Sequence, residues 1–355
     1  MSSNLEPFIS VVLPIRNEGN HIRAVLQAIL DQDYPEQRFE ILIADGMSDD
    51  HTRREIAELI KTKGEHPQVS LIDNPGRIVP TGMNAAIRQA KGDFIVRIDG
   101  HAIMAPDYLR ASLNALEQTG AENAGGPIDC IGTDWMSSAI ALATSKPYGV
   151  GNSAFRTSSR ARYVDTVPFG AWRRTIFQKV GLFNEHFIRH QDYEFNHRIR
   201  AAGGKIYLTP TIKSKYFVRA NPGKLMRQYF QYGLWKAKML RIFPGSVKWR
   251  HAVPPLFVLA LLTLMITAIL KPGLAWLLWG LLGVYAAFLL VAAVLSCHPK
   301  HWRFAPAVPF LFATLHLSWG CGFWVGLPRS LPPDFNELPE PLEGIPGSEA
   351  IAGDV

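Results

Sequence analysis

Three acidic residues in this chain stand where carboxylates can do chemistry. Asp45 closes the run Glu40-Ile41-Leu42-Ile43-Ala44-Asp45-Gly46, and Asp99 closes Phe94-Ile95-Val96-Arg97-Ile98-Asp99-Gly100-His101. Each run is apolar and rich in β-branched residues, and each stops at Asp-Gly. Asp192 follows much later, in His190-Gln191-Asp192-Tyr193-Glu194. Carboxylates at the ends of parallel strands face the crevice in which open α/β sheets bind ligands. Asp45 can accept a hydrogen bond from a base N–H. Asp99 and His101 can point to one cation, because a divalent ion bridging a diphosphate takes one or two protein ligands and keeps several waters. An imidazole in that set moves the preference from Mg2+ toward Mn2+. Hydrogen bonding to a neighbour is the alternative role for His101. Asp192 can serve as a general base, since a reference pKa near about 3.9 keeps it ionised at neutral pH without a large shift. Its alternative is an acid favoured by the dipole at a helix start.

Further polar residues cluster on the loops around these acids. In Val12-Leu13-Pro14-Ile15-Arg16-Asn17-Glu18-Gly19-Asn20 a strand breaks into a loop and a helix start, where backbone N–H groups can hold an anion. Pro14, Arg16, Asn17 and Glu18 are therefore expected at a nucleotide, with Glu18 able to accept from a ribose hydroxyl. Asp49 or Asp50, with Thr52, is expected to cap the next helix instead. Arg77 in Asn74-Pro75-Gly76-Arg77 can pair with a diphosphate, and Gly82 and Asn84 open a helix beneath the crevice.

Such placement requires alternating strands and helices. Phe8–Ile15, Phe39–Ala44, Val69–Ile72 and Phe94–Ile98 read as strands. Gly19–Asp31, Asp50–Lys61, Thr81–Ala90 and Tyr108–Glu117 read as helices with apolar residues on one face. The alternation predicts an α/β domain with a mostly parallel sheet covered on both faces. Between Gly120 and Val167 the pattern loosens, and Arg156–Arg162 suits a mobile loop. Arg173–Val180 and Tyr193–Ala202 read as helices, Lys205–Leu208 and Ser214–Val218 as strands. Residues 224–243 form a basic, aromatic stretch with Leu225, Met226, Tyr229, Phe230, Gly233, Ala237 and Leu240 on one face, suited to a membrane interface or to ordinary packing.

The remainder is apolar. Segments 252–270, 274–296 and 305–327 are each long enough to cross a hydrocarbon core of roughly 30 Å. Lys271-Pro272-Gly273 joins the first two as a hairpin, and Pro306, Pro309 and His316 interrupt the third, which leaves a packed core helix as its alternative. The flank Lys248-Trp249-Arg250-His251 and the loop His298–Arg303 are basic. With both flanks cytoplasmic, three crossings put the tail outside. The tail, 328–355, holds six acids and one base, which leaves 36 basic and 24 acidic residues before it. It is expected to be disordered. The basic body favours phosphates and a membrane surface. Nucleic-acid binding is not expected, because no recognition motif appears and the basic residues lie near apolar segments. There is no Walker A sequence. Cys130, Cys297 and Cys321 form no metal or disulfide framework and are expected to be small buried hydrophobes. Met1–Pro7 lacks the basic region of a signal peptide, so the N-terminal domain is expected in the cytoplasm. The organisation expected is therefore a catalytic domain 1–221, an interfacial segment 222–250, a membrane domain 251–327 and the tail.

The ordered set ISVVLPIRNEGNHI, ILIADGMSDDHT, NPGRIVPTGMNAAIRQAKGDFIVRIDGH and HQDYEFNHRIRAAG resembles the family 2 glycosyltransferases of GT-A (Rossmann-like) fold over about residues 8–240. The resemblance implies that Asp45 contacts the nucleotide base, that Asp99 belongs to a metal-binding D-x-D element, and that Asp192 is the catalytic base. The chain departs from the pattern with D-x-H at 99–101 and with Gln191 where Glu is common. Gln231-Tyr232-Gly233-Leu234-Trp235 lacks the Arg of the Q-x-x-R-W element of processive synthases. With RIDGHA, PFGAWRR and the apolar C-terminal segments, the layout is most similar to succinoglycan-type β-1,3-glucosyltransferases, which extend lipid-linked exopolysaccharide units.

The expectation is an inverting hexosyltransferase of the inner membrane that uses Mn2+ or Mg2+. Its donor would be a UDP-sugar, UDP-glucose first. Its acceptor would be a polyprenyl-diphosphate-linked saccharide, and other polysaccharide-assembly proteins would be its partners. The rival readings are a processive polysaccharide synthase, a polyprenyl-phosphate glycosyltransferase and a membrane-bound nucleotide-sugar sensor. Nucleotide-sugar hydrolysis separates the enzymes from the sensor.

Overall fold

A computed structural model describes residues 6–218, 221–246, 248–331, 335, 337 and 339–343. The chain runs β1 (Ile9–Ile15), α1 (Ile22–Leu30), β2 (Phe39–Asp45), α2 (Thr52–Thr62), β3 (Gln68–Asp73), α3 (Val79–Gln89), β4 (Phe94–Arg97), β5 (Ala102–Met104), α4 (Tyr108–Thr119), β6 (Asn123–Gly125) and β7 (Ile128–Ile131). It continues with α5 (Trp135–Thr144), α6 (Pro147–Val150), α7 (Ala154–Thr157), β8 (Arg162–Tyr163), β9 (Ala171–Arg173), α8 (Thr175–Val180), α9 (Gln191–Ala201), β10 (Ile206–Leu208) and β11 (Ser214–Phe217). The long helices α10 (Pro222–Ile242), α11 (Trp249–Leu270), α12 (Ala275–Cys297) and α13 (Val308–Gly326) follow.

These elements form two compact units that are not contiguous in sequence. The first holds residues 1–126, 161–212 and 337–355, and the second holds 127–160 and 213–336. Residues 127–160 thus group with the apolar helices, a division other than the single boundary expected near residue 221.

The first unit is built on an eight-stranded sheet of order β3-β2-β1-β4-β9-β6-β10-β8. β1 lies parallel between β2 and β4, with Ile9 opposite both Phe39 and Phe94. All seven residues of β1 and of β2 are buried, as continuous apolar runs in a sheet covered on both faces must be. Because β2 and β3 leave on one side of β1 and β4 on the other, a crevice opens beyond the carboxyl ends of β1 and β4. β9 enters antiparallel between β4 and β6, so Arg173 belongs to a strand and not to the helix expected from 173.

In the second unit β7 and β11 pair in parallel, and α5 runs along the apolar helices. The sequence of α5, built on Ala and Ser, shows little helical periodicity, so it carries no strong local signal. Arg156, expected in a mobile loop, lies in the helical turn α7 and donates to Cys130 Sγ at 3.2 Å. Among the described residues, three helical stretches are long and apolar enough to cross a membrane: Trp249–Leu270, Pro272–Cys297 and Val308–Gly326. The third differs from the others, with 44% of its apolar window buried inside the protein against 11% and 17%.

α10 and α13 approach so closely that glycine is required at the crossing. A Cβ on Gly233 would meet the Trp319 carbonyl oxygen at 1.9 Å, and Cβ atoms on Gly322 and Gly326 would meet the Phe230 and Leu234 carbonyls at 2.0 and 2.4 Å. The G-x-x-x-G at 322–326 thus packs helix on helix. On α10, Leu225, Tyr229, Gly233 and Ala237 of the expected face are buried, and the buried face also takes in Leu234, Trp235, Lys236 and Met239, whereas Met226 is exposed. The cysteines differ as well. Cys297 is buried as expected, but Cys130 is only partly buried and Cys321 is exposed.

The tail also departs from expectation. Leu342 N donates to the Phe177 carbonyl and Leu182 N donates to that of Glu340, each at 3.1 Å. Gly181, at φ 79°, leaves room for the Pro339 carbonyl. Residues 339–343 thus lie on the first unit. Asp334, Glu349 and Asp354 of the acidic tail fall outside the described residues.

Candidate active site

β4 ends at Arg97, and this residue organises the site. Its side chain is 3% exposed and lies between two carboxylates. Nε and Nη2 reach Asp99 Oδ1 at 3.0 and 2.9 Å, while Nη1 pairs with Asp192 Oδ1. The planar guanidinium fork suits such a bridge. Asp99 and Asp192, distant in sequence, are thereby held in one cleft. Burial pushes the Asp192 carboxyl up to about 6, with Arg97 pulling it down and Asp99 adding to the rise. The role of a base required no shift of this acid; the fold raises it nonetheless, because desolvation outweighs the cation beside it. Sequence reasoning missed Arg97. The available signal was a charged residue inside an otherwise apolar strand run.

Asp192 is presented by the first turn of α9. His190 precedes that turn at φ 63°, a left-handed conformation. Phe195, on the same helix, is fully buried and stacks on Phe183 at 4.5 Å and on Phe177 at 5.2 Å. Burying a side chain of that size stabilises by about 1.5–3 kcal/mol. Glu194 is committed elsewhere: it pairs with Arg198 at 2.6 Å, and Arg198 Nη2 donates to the Leu182 carbonyl. That pairing removes Glu194 as a substitute base.

His101 is turned toward the loop after β1. Its Nδ1 lies 2.8 Å from Glu18 Oε1. Gly100 makes this passage possible, since a Cβ there would meet Glu18 Cγ and Ile15 Cγ2 at 2.8 Å. A carboxylate on one ring nitrogen fixes the tautomer and orientation of a ligating imidazole. Glu18, expected at a ribose, meets His101 instead. No group of three or more His, Cys, Asp or Glu side chains suited to a metal occurs among the described residues. The pair Asp99 and His101 fits a cation that takes its other oxygens from a diphosphate and water, as hard divalent ions do.

The remaining expected residues line neighbouring loops with different tasks. Asp45 is fully buried and accepts from Ser48 N at 3.1 Å, from the Ser48 hydroxyl and from Arg53 Nε. It is thus a loop anchor as well as a candidate base contact. Asn17 accepts from Asp49 N at 3.1 Å and donates to the Asp49 carboxylate at 2.7 Å, tying the loops after β1 and β2 together. Asp50 accepts from Thr52 N at 2.9 Å in a local turn ahead of α2, whose N-cap is His51 and carries no side-chain cap bond, so the capping expected of Asp49 or Asp50 is not formed. Arg16 and Arg77 are exposed. Pro14 is buried inside β1 opposite Ala44. Asn84 is buried and spends its amide on Phe183 and Glu185, at 2.8 to 2.9 Å, so it braces the loop before α9.

Among the described residues, the non-glycine residues with positive φ are Asn17, Met47, Arg77 and His190. They occupy the loops after β1, β2 and β3 and the entry to α9. Left-handed backbone at such residues costs of order 1–3 kcal/mol each and tends to gather at functional sites.

Comparison with known proteins agrees with this geometry. Residues 10–181 match the family model described as Glycosyl transferase family 2. The chain is 30% identical over 320 residues to the Succinoglycan biosynthesis protein ExoA of Rhizobium meliloti (strain 1021), covering 88% of this chain and 93% of that protein. It is 29% identical over 326 residues to a dolichyl N-acetyl-alpha-D-glucosaminyl phosphate 3-beta-D-2,3-diacetamido-2,3-dideoxy-beta-D-glucuronosyltransferase of Methanococcus voltae, covering 90% and 97%. Among solved structures, a mannosyltransferase of Pyrobaculum calidifontis in complex with GDP-Man and Mn2+ superposes with a TM-score of 0.59 at 18% identity, covering 89% of this chain and 88% of that one. That last likeness concerns the fold, which is GT-A. The chain belongs to the family 2 glycosyltransferases.

Proposed function

We propose that this glycosyltransferase transfers a hexose, glucose from UDP-glucose first, with inversion to a saccharide carried on a polyprenyl diphosphate. The observation that carries the reading is the Arg97 bridge, which holds Asp99 and Asp192 in one cleft. Asp192 takes the proton from the acceptor hydroxyl as that oxygen attacks the anomeric carbon, and the nucleoside diphosphate leaves from the opposite face. A divalent cation on Asp99 and His101 would stabilise the charge that develops on the leaving diphosphate. Glu18 keeps the imidazole oriented for that role, and Arg97 keeps the base close while burial holds its pKa at about 6. Asp45, Arg16 and Arg77 belong to the nucleotide side. One relative supports a lipid-linked acceptor, being named for transfer to a dolichyl-phosphate-linked sugar, and another, named for succinoglycan biosynthesis, supports a role in polysaccharide assembly.

The enzyme sits in the inner membrane with its catalytic unit in the cytoplasm. α11 and α12 cross as a hairpin, which puts the basic flanks at 248–251 and 298–303 on one side. α13 stays on that side, packed along α10. Support for two crossings comes from the tail residues bonded to Phe177 and Leu182 and from the greater burial of α13. The test of function is a screen of nucleotide sugars with membranes that contain the full chain, followed by mass analysis of the lipid fraction. A hexose added to a polyprenyl-linked saccharide is the expected product. Transfer to water alone, or growth of a long polymer, would overturn the acceptor assignment.

A further inference from the structure

Segment 180–183, between α8 and α9, is bonded both to the helix that carries Asp192 and to C-terminal residues 339–343. All of these residues belong to the first unit. The segment spends two carbonyls on α9. Arg198 donates to the Val180 carbonyl and, from Nη2 at 2.7 Å, to that of Leu182. Glu194 holds the same guanidinium at 2.6 and 2.9 Å. Phe183 N donates to Asn84 Oδ1 at 2.9 Å, and the Phe183 ring stacks on Phe195 of α9. The seat of α9 is therefore built largely from this segment.

The C-terminal residues complete it. Leu182 is buried, and the acceptor for its N–H is the Glu340 carbonyl. A buried backbone donor that loses its acceptor is costly. Two residues on, Leu342 N donates to the Phe177 carbonyl at the end of α8. The Leu342 side chain is buried, whereas Glu340, Pro341 and Glu343 are exposed. Gly181 allows this approach, since a Cβ there would meet the Pro339 carbonyl oxygen at 2.2 Å. Asp192 and Arg198 lie six residues apart on one helix, about 9 Å at a rise of roughly 1.5 Å per residue. A shift of the seat at Arg198 is carried along that helix to the carboxylate.

We propose that residues 339–343 form a strap that positions Asp192 for proton removal. The proposal rests on the reading of Asp192 as the base. Leu342 is a positioning residue: it acts on the carboxylate through Phe177, Leu182 and α9.

The test uses the full chain in detergent. Leu342→Asp puts a charge in a buried place and should release the strap. Amides of 180–183 and α9 should then exchange hydrogen faster, by about tenfold or more, while those of β1 and β2 keep their wild-type rates. Turnover at saturating donor and acceptor should fall by about 10–100-fold, as a slightly misplaced catalytic group costs, with UDP affinity unchanged. Leu342→Met should restore both exchange and turnover. If Leu342→Asp fails to fold, Gly181→Ala reads the same contact from the other partner and should give the same pattern. Wild-type exchange in α9, or faster exchange with unchanged kcat, overturns the proposal. A loss of turnover matched by a loss of UDP affinity also overturns it, because the strap would then serve the donor side. Near-normal turnover in Asp192→Asn would sink the base reading itself, whereas a wild-type α9 in Leu342→Asp sinks the strap and leaves that reading standing.

Discussion

Arg97 and Asp192 form an ion pair across 95 residues of sequence, joining the end of β4 to the first turn of α9. The same guanidinium holds Asp99. The residues proposed for proton removal and for cation binding therefore share one positive charge, and each should respond when that charge is removed.

Asp192→Asn should retain UDP binding and lose transfer. General-base assistance is worth roughly 10²–10⁴-fold, so the loss belongs in kcat. Calorimetry with UDP and turnover with a lipid-linked acceptor check this together. Near-normal turnover would remove Asp192 from the mechanism, and Glu194 could not replace it while paired with Arg198.

The pH profile should carry the shifted acid. With Asp192 at about 6 in the free enzyme, kcat/KM should fall as pH drops through that value, because the protonated acid cannot accept. Arg97 lowers this pKa, so Arg97→Gln should move the acid limb to higher pH. Losing the bridge should also cost about 1–3 kcal/mol of stability, since two carboxylates lose a charged partner. An acid limb that stays in place would detach Arg97 from the base.

Chelation should abolish transfer, as should Asp99→Ala. Glu18→Ala should weaken Mn2+ activation by about 10–100-fold through a mis-oriented His101, the usual effect of losing such a partner. Titration of activity with Mn2+ reads this directly. An unchanged activation curve would show that Glu18 does not orient a metal-binding His101.

Asp45→Ala should lower both stability and UDP affinity. The side chain is buried and anchors Ser48 and Arg53, so its removal leaves donors without an acceptor, at about 1–3 kcal/mol. Thermal unfolding with and without UDP separates the two effects. A destabilised variant with wild-type UDP affinity would confine Asp45 to loop anchoring.

A reporter fused after Val355 should be active on the cytoplasmic side. Glu340 and Leu342 are hydrogen-bonded to Leu182 and Phe177 of the unit proposed to lie in the cytoplasm, which is the basis of the expectation. Activity on the far side would restore the third crossing.

The strands of the N-terminal half were legible because period and burial are local properties. Ile9–Ile15 and Phe39–Asp45 are apolar with few breaks, and a strand covered on both faces must read that way. The acids at strand ends were legible for the same reason, since Asp99 and His101 are set by their own loop. What sequence could not show is which side chains meet across the cleft. Arg97 looked like an interruption of a strand until α9 brought Asp192 to it. Asn84 and Glu18 have the chemistry to touch a ligand, yet Phe183 and His101 claim them. In the same way α13 has the length and apolarity of a membrane span, and hydropathy alone cannot separate lipid from a neighbouring helix. Glycines at 233, 322 and 326 reveal that neighbouring helix only as a set, because they lie on two helices that meet in the folded chain. Local sequence determined the strands and the positions of the acids. Packing between distant segments decided their partners, since hydrogen bonds and burial depend on distances that the chain sets only when it folds.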